Sequence, residues 1–239
     1  MSLKPPRFTK ALGVVSRGNG MEGPFVRAVH PASEAAANDR PIAFLDRDGV
    51  INVGRAGYVN RPAEVQLLDG SASSIGELKR QGFLVCIVTN QSALARGLWG
   101  SGQLERIHHA LQEQLLAVDE NATVDAFITC PHRFEDGCSC RKPSPAMLHL
   151  GHRVLREISH DVESNVLFNA GHQSTHVDWW GAKPQPPHPL DVMVGDRRSD
   201  MGAGWGYGAR LFRVSAHVGL AQVLERIIDV DDEGDRFQP

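Results

Sequence analysis

Short apolar runs alternate with amphipathic stretches along this chain. Ile42-Ala43-Phe44-Leu45 and Phe83-Leu84-Val85-Cys86-Ile87-Val88 are apolar at every position. That is the pattern of strands buried on both faces. Further strands are expected at 124–129, 166–168, 190–194 and 210–214. Helices are expected at 71–81, with Ile75 and Leu78 on the apolar face, and at 103–118, where Leu104, Ile107, Leu111 and Leu115 recur at helical spacing. Two more fall at 145–158 and 220–228. Strands alternating with helices predict an α/β fold: a doubly wound, Rossmann-like, mainly parallel sheet with helices on both faces.

Two regions break the pattern. Residues 1–40 contain Pro5-Pro6, Gly18-Asn19-Gly20 and Gly23-Pro24 without a clear period. They read as a mostly irregular N-terminal tail before a domain spanning 41–239. Residues 169–189 are polar, rich in His and Pro, with Trp179-Trp180 in the middle. They read as an insertion, with the two tryptophans left between covering the site and meeting a partner.

Bulk properties narrow the functional classes. The chain has 239 residues, 25 Lys and Arg against 28 Asp and Glu, and a net charge of -3. Clustered basic residues, which phosphate-backbone binding needs, are absent, so no nucleic-acid partner is expected. No apolar stretch approaches the ~20 residues that cross a bilayer, so no membrane partner is expected. No apolar leader follows the N-terminal basic residues, and a cytoplasmic location is the expectation. A monomer is the expected state, with an oligomer left open.

The polar residues that matter fall at the carboxyl ends of the predicted strands, where open α/β sheets bind ligands. Asp46 and Asp48 follow the first strand, Thr89, Asn90, Gln91 and Ser92 the second, and Asp196 the run Val192-Met193-Val194-Gly195. Arg141-Lys142-Pro143 stands just before a helix. Carboxylates at i and i+2 with a third from another strand suit a hard divalent cation. Such a cation lets a carboxylate approach a phosphate, while Lys142 and the Thr89 hydroxyl hold the transferring oxygens. Phosphoryl transfer depends mostly on this kind of positioning and charge stabilisation.

Cys130, His132, Cys138 and Cys140 crowd into one short segment. Three thiolates and an imidazole suit tetrahedral zinc. Four protein ligands leave no position for water, so the site is expected to be structural and to fix the loop carrying Arg141 and Lys142. Cys86, mid-strand, reads as core. His108 and His109 read as residues on the polar side of a helix. His172, His176 and His188 read as parts of a polar loop.

Asp46-Arg47-Asp48-Gly49-Val50, Val88-Thr89-Asn90-Gln91-Ser92, Arg141-Lys142-Pro143 and Val194-Gly195-Asp196 resemble, in order, the four motifs of the haloacid dehalogenase superfamily. Within it, Arg47-Asp48-Gly49-Val50-Ile51-Asn52, Gly57-Tyr58-Val59, Thr89–Gly97 and the Cys/His segment are similar to the heptose-bisphosphate phosphatases. The histidinol-phosphate phosphatases share the metal loop. The resemblance covers about 42–214, less the insertion, and implies a phosphatase domain without a large cap.

It further implies a Mg2+- and Zn2+-containing enzyme acting on a small phosphorylated metabolite. Asp46 is the implied nucleophile, forming an aspartyl-phosphate, and Asp48 the implied general acid and base. Thr89 and Lys142 stabilise the phosphoryl group. Magnesium is held by the Asp46 carboxylate, the Asp48 backbone carbonyl and Asp196, with Asp200 supporting it. Tyr58, Asn90, Arg141 and Arg197 face the substrate. Arg197 stands where lysine is common, the metal loop is short, and 53–58 looks one residue longer than in the heptose enzymes; these differences bear on the substrate more than on the mechanism. A histidinol-phosphate phosphatase is the competing enzyme. A zinc-stabilised interaction module without catalysis is the competing class, and it predicts an eroded Asp46, Asp48, Lys142 or Asp196, all of which are intact.

Overall fold

The computed structural model describes residues 23–28, 39–157, 167–169 and 176–239. Seven strands form one sheet: β1 (Phe25–Ala28), β2 (Ile42–Leu45), β3 (Leu84–Asn90), β4 (Ala126–Cys130), β5 (Leu167–Asn169), β6 (Val192–Gly195) and β7 (Arg210–Arg213). Their spatial order is β5-β1-β4-β3-β2-β6-β7. The pairs among β4, β3, β2, β6 and β7 are all parallel. β1 is antiparallel to both β4 and β5. The helices are α1 (Ser71–Arg80), α2 (Ser101–Val118), α3 (Ala146–His152), α4 (Arg198–Tyr207) and α5 (Leu224–Ile228).

The apolar runs bury both faces because successive side chains point to opposite sides of a strand. Phe44, Cys86, Val88, Ile128, Met193 and Leu211 join Met147, Leu148, Met201 and Trp205 in one core layer, under α3 and α4. Ala43, Leu45, Val85, Ile87, Phe127 and Val194 join Ile75, Leu78, Ile107 and Leu111 in the other, under α1 and α2. The doubly wound architecture is therefore as expected.

Four local expectations change. The tail boundary at residue 41 is too late, since β1 sits inside the sheet; residues 1–22 and 29–38 lie outside the described residues. The helix expected over 145–158 narrows to α3 and then widens into a π-type turn at Arg153–Glu157, with residue 158 outside the described part. The final helix divides into a short 3-10 turn, Gly219–Gln222, and α5. α4 follows β6 where no apolar period announced it.

In the insertion, residues 170–175, His172 included, are outside the described part. Val177 and Trp179 are buried in the core layer, and the Trp179 ring stacks on Trp205 with centroids 5.6 Å apart. Trp179 thus supports α4 rather than covering a site, while Trp180 is exposed.

Candidate active site

β2 ends at Leu45, and Asp46 extends its pairing by donating its backbone N–H to the Val194 carbonyl. The chain then turns sharply. Gly49, at φ 83°, enables the turn, and a Cβ there would lie 3.0 Å from the Asp196 carboxylate. The turn brings Asp46 and Asp48 to the floor of a cleft of about 1010 Å³. Thr89, Asn90, Arg141, Lys142, Asp196, Arg197, Asp200 and Tyr58 also line it. All the catalytic and substrate-facing residues expected from the sequence meet there.

Lys142 is buried against the floor. Its ammonium donates to the Val88 carbonyl at 2.8 Å and lies 3.0 Å from Asp46 Oδ1 and 2.7 Å from Asp200 Oδ1. The ammonium donates to one carbonyl and forms ion pairs with both carboxylates, so Lys142 holds the nucleophile and its neighbour together. Burial alone would lower its pKa, but Asp200 and Asp46 outweigh burial and raise it above the ordinary lysine value. Burial pushes the Asp46 carboxyl up to about 6, with Asp200 and Asp48 adding to the effect and Lys142 opposing it.

Asp48 is held differently. Arg47 Nε and Nη2, Asn52 Nδ2 and Gln91 Nε2 donate to its two oxygens at 2.8–3.2 Å. Burial would raise its pKa, but Arg47 and these hydrogen bonds bring it below the ordinary carboxylate value. Two carboxylates two residues apart thus lie in opposite electrostatic settings. Arg47, Asn52 and Gln91 had no assigned role in the sequence. The one local signal was the basic residue between the two acids.

Asp46, Asp196 and Asp200 bring carboxylate oxygens within 4.8 Å of one another. Asp196 Oδ1 is buried without a hydrogen-bond partner among the described residues. Burial, followed by Asp46, raises the Asp196 pKa. Such a cluster of hard oxygens can hold a divalent cation. Asp200 is closer to this group than its place one turn beyond Asp196 implied: it is fully buried and accepts from the Arg197 N–H at the start of α4.

Three substrate-facing residues are already engaged. The Asn90 amide exchanges hydrogen bonds with the backbone N–H and carbonyl of Lys142. Arg141 donates one N–H to the His132 carbonyl. The Tyr58 hydroxyl lies 3.0 Å from Ser92 Oγ and accepts from Arg96 Nε; the bond to Ser92 is the larger influence lowering its pKa. Tyr58 has φ 68°, the left-handed region that bulky side chains avoid. Arg197 is largely exposed, 3.7 Å from Asp196.

Cys130, His132, Cys138 and Cys140 form a second group of potential metal ligands. Their sulfurs are 3.2–3.7 Å apart, and His132 Nδ1 is 3.6 Å and 3.4 Å from the Cys130 and Cys140 sulfurs. Hydrogen bonds from Cys130 and Cys140 hold the Cys138 thiol far below its usual pKa, while burial raises Cys130. The group is tied to the cleft: Gln91 N–H donates to the Cys130 carbonyl and Ala95 N–H to the Pro131 carbonyl. Cys86 is fully buried, and desolvation raises its pKa, as a core residue requires. His176 and His188 belong to neither metal group among the described residues.

One expectation is overturned. His108 is not on a polar face; it is fully buried and stacks on Phe127 with ring centroids 4.4 Å apart. The helix wraps far enough around its axis that position 108, one residue after Ile107, still faces the sheet. His109 is exposed and 3.3 Å from Glu113.

No protein-family model matches the chain. Curated relatives do. The D-glycero-beta-D-manno-heptose-1,7-bisphosphate 7-phosphatase of Bordetella bronchiseptica is 42% identical over 106 residues, 44% of this chain and 58% of the relative. The chain therefore spans less than two thirds of that relative. The enzyme of the same name from Pasteurella multocida is 32% identical over 169 residues, 68% of this chain and 74% of the relative. A crystal structure of the B. bronchiseptica D,D-heptose 1,7-bisphosphate phosphatase, complexed with magnesium and phosphate, superposes with a TM-score of 0.55 and 31% identity, covering 77% of this chain and 85% of that one. With its motifs gathered in one cleft and this likeness spanning most of the Pasteurella relative, the chain belongs to the D-glycero-beta-D-manno-heptose-1,7-bisphosphate 7-phosphatase family.

Proposed function

We propose that this protein is a magnesium-dependent phosphatase that removes one phosphate from a small sugar phosphate, a heptose bisphosphate, through an aspartyl-phosphate. The observation that carries the proposal is the convergence of Asp46, Asp48, Thr89, Lys142 and Asp196 on one cleft floor. The names of the relatives support the substrate class.

Asp46 attacks phosphorus through a carboxylate oxygen. The bond from phosphorus to the sugar oxygen breaks, and that oxygen takes a proton from Asp48, which is ionised in the free site and gains that proton as the substrate's phosphate binds. Water then attacks the same phosphorus and passes a proton to Asp48. The bond to Asp46 breaks, releasing inorganic phosphate and restoring both acids. Thr89 donates to a phosphoryl oxygen. Lys142 keeps Asp46 aligned and supplies positive charge beneath it. Arg141, Arg197 and Tyr58 line the cleft where the rest of the substrate would lie, and Asn90 fixes the Lys142 backbone.

Asp46, the Asp48 carbonyl and Asp196 would hold magnesium, with Asp200 beside them. The ion supplies charge that lets a carboxylate meet a phosphate dianion. Cys130, His132, Cys138 and Cys140 would hold structural zinc that braces the loop carrying Arg141 and Lys142.

Phosphate release with magnesium, measured against heptose bisphosphate, histidinol phosphate and other sugar phosphates, tests the proposal. Turnover of heptose bisphosphate above the others, abolished in Asp46→Asn, is expected. Full turnover in that variant would remove the nucleophile, and preference for histidinol phosphate would reassign the substrate.

A further inference from the structure

We infer that Gln91 is a positioning residue of this site, whose side-chain amide sets the Asp48 carboxylate and the Thr89 hydroxyl in one fixed relation; the inference rests on the phosphatase reading. Gln91 follows directly on β3 and is 1% exposed. Its Nε2 donates one hydrogen to Asp48 Oδ2 at 2.8 Å and the other to Thr89 Oγ1 at 2.9 Å. The reversed amide would set oxygen against carboxylate oxygen, so chemistry itself decides the orientation.

The second bond has a directional consequence. A hydroxyl has one proton to give and two lone pairs. An amide N–H cannot accept, so Thr89 accepts from Gln91 and must point its own proton elsewhere. No other side-chain partner of Thr89 is found among the described residues, and its hydroxyl stands at the cleft floor. Gln91 therefore leaves Thr89 as a donor toward the phosphoryl oxygens, while holding the acid-base carboxylate against the pull of Arg47.

Among the described residues, Gln91 Oε1 is buried without a hydrogen-bond partner. An unsatisfied buried acceptor is destabilising, and an apolar side chain of the same length would avoid it. The amide serves its two donors at the expense of its own oxygen. The backbone N–H of the same residue is anchored 2.8 Å from the Cys130 carbonyl, so the cysteine-histidine loop fixes where the amide sits.

Kinetics of the full-length, metal-loaded protein with its best sugar phosphate test this. Gln91→Met removes both donors at similar size, and kcat is expected to fall about 10- to 100-fold with KM nearly unchanged. Gln91→Glu keeps the shape but sets carboxylate against carboxylate, and should fall at least as far. The double variant Gln91→Met with Thr89→Val should lose less than the two single losses combined, because the path through Thr89 is already gone while the one to Asp48 remains. Thermal melts and metal content establish that each variant folds; if Gln91→Met does not, the isosteric Gln91→Glu decides. A kcat within about twofold of wild type in the folded variant, or fully additive losses, overturns the inference. No phosphate release by the wild type would instead remove the phosphatase reading, and the inference with it.

Discussion

Lys142 Nζ lies 3.0 Å from Asp46 and 2.7 Å from Asp200, so a single buried ammonium joins an acid at the end of β2 to one in the first turn of α4. Lys142→Met would strand two buried carboxylates. Removing one partner of a buried pair costs about 3–5 kcal/mol, and losing the charge beneath the nucleophile should slow turnover at least ~100-fold. Urea unfolding reads the first effect and phosphate release the second. An unchanged urea midpoint would contradict the buried network.

His108 should make the fold acid-sensitive. Burial, reinforced by Arg47 and Arg27, holds its pKa well below the ordinary 6.5. The unfolded chain therefore binds a proton that the folded chain refuses. Stability from this group is complete above an unfolded pKa of about 6.5 and declines below it by about 1.4 kcal/mol per pH unit. His108→Leu should flatten that decline, as urea midpoints at pH 7, 6 and 5 would reveal.

On the proposal that the cysteine-histidine group holds zinc, Cys140→Ser should release it. For a chain of this size each kcal/mol moves Tm by about 2–4 °C, so a fall on the order of 10 °C is expected. Metal analysis beside calorimetry checks it. Turnover should fall too, since the Cys130 and Pro131 carbonyls anchor Gln91 and Ala95. A variant with full zinc content would refute the ligand set.

Tyr58→Phe removes the hydroxyl that meets Ser92 and Arg96. These bonds hold the cleft wall and not the substrate, so KM should rise by up to about fivefold, the equivalent of about 1 kcal/mol, while kcat holds. A lower kcat with constant KM would instead place Tyr58 with the reacting groups.

Gly204→Ala tests how closely α4 lies on the sheet. A Cβ there would come 2.5 Å from Leu211 and 2.6 Å from Met193. Overpacking of this kind costs about 1–3 kcal/mol. Urea unfolding measures it, and a stabilised variant would show that the helix has room to shift.

Much of this protein was legible in its one-dimensional pattern, for physical reasons. The uniformly apolar runs around Phe44 and Val85 admit few environments other than a sheet covered on both faces. Ligands gather where such strands end, so Asp46, Thr89 and Asp196 could be placed at one rim from order alone. The crowding of Cys130, His132, Cys138 and Cys140 is local, and so was readable.

Long-range packing decided the rest. α4 contains Gly202, Gly204 and Gly206, which disfavour an isolated helix, yet at Gly204 the close approach to Met193 and Leu211 leaves room for little else. β1 is four residues long, and its antiparallel pairing with β4 and β5 supplies what its own length does not. Sequence order separates Gln91 from Asp48 by 43 positions and Lys142 from Asp46 by 96, so these contacts exist only once the sheet has brought distant segments together. The residue types determined which chemistry was available. The fold determined that Lys142 holds Asp46, that Gln91 holds Asp48, and that the two acids lie in opposite electrostatic settings, because burial and charge pairing depend on neighbours that only tertiary structure supplies.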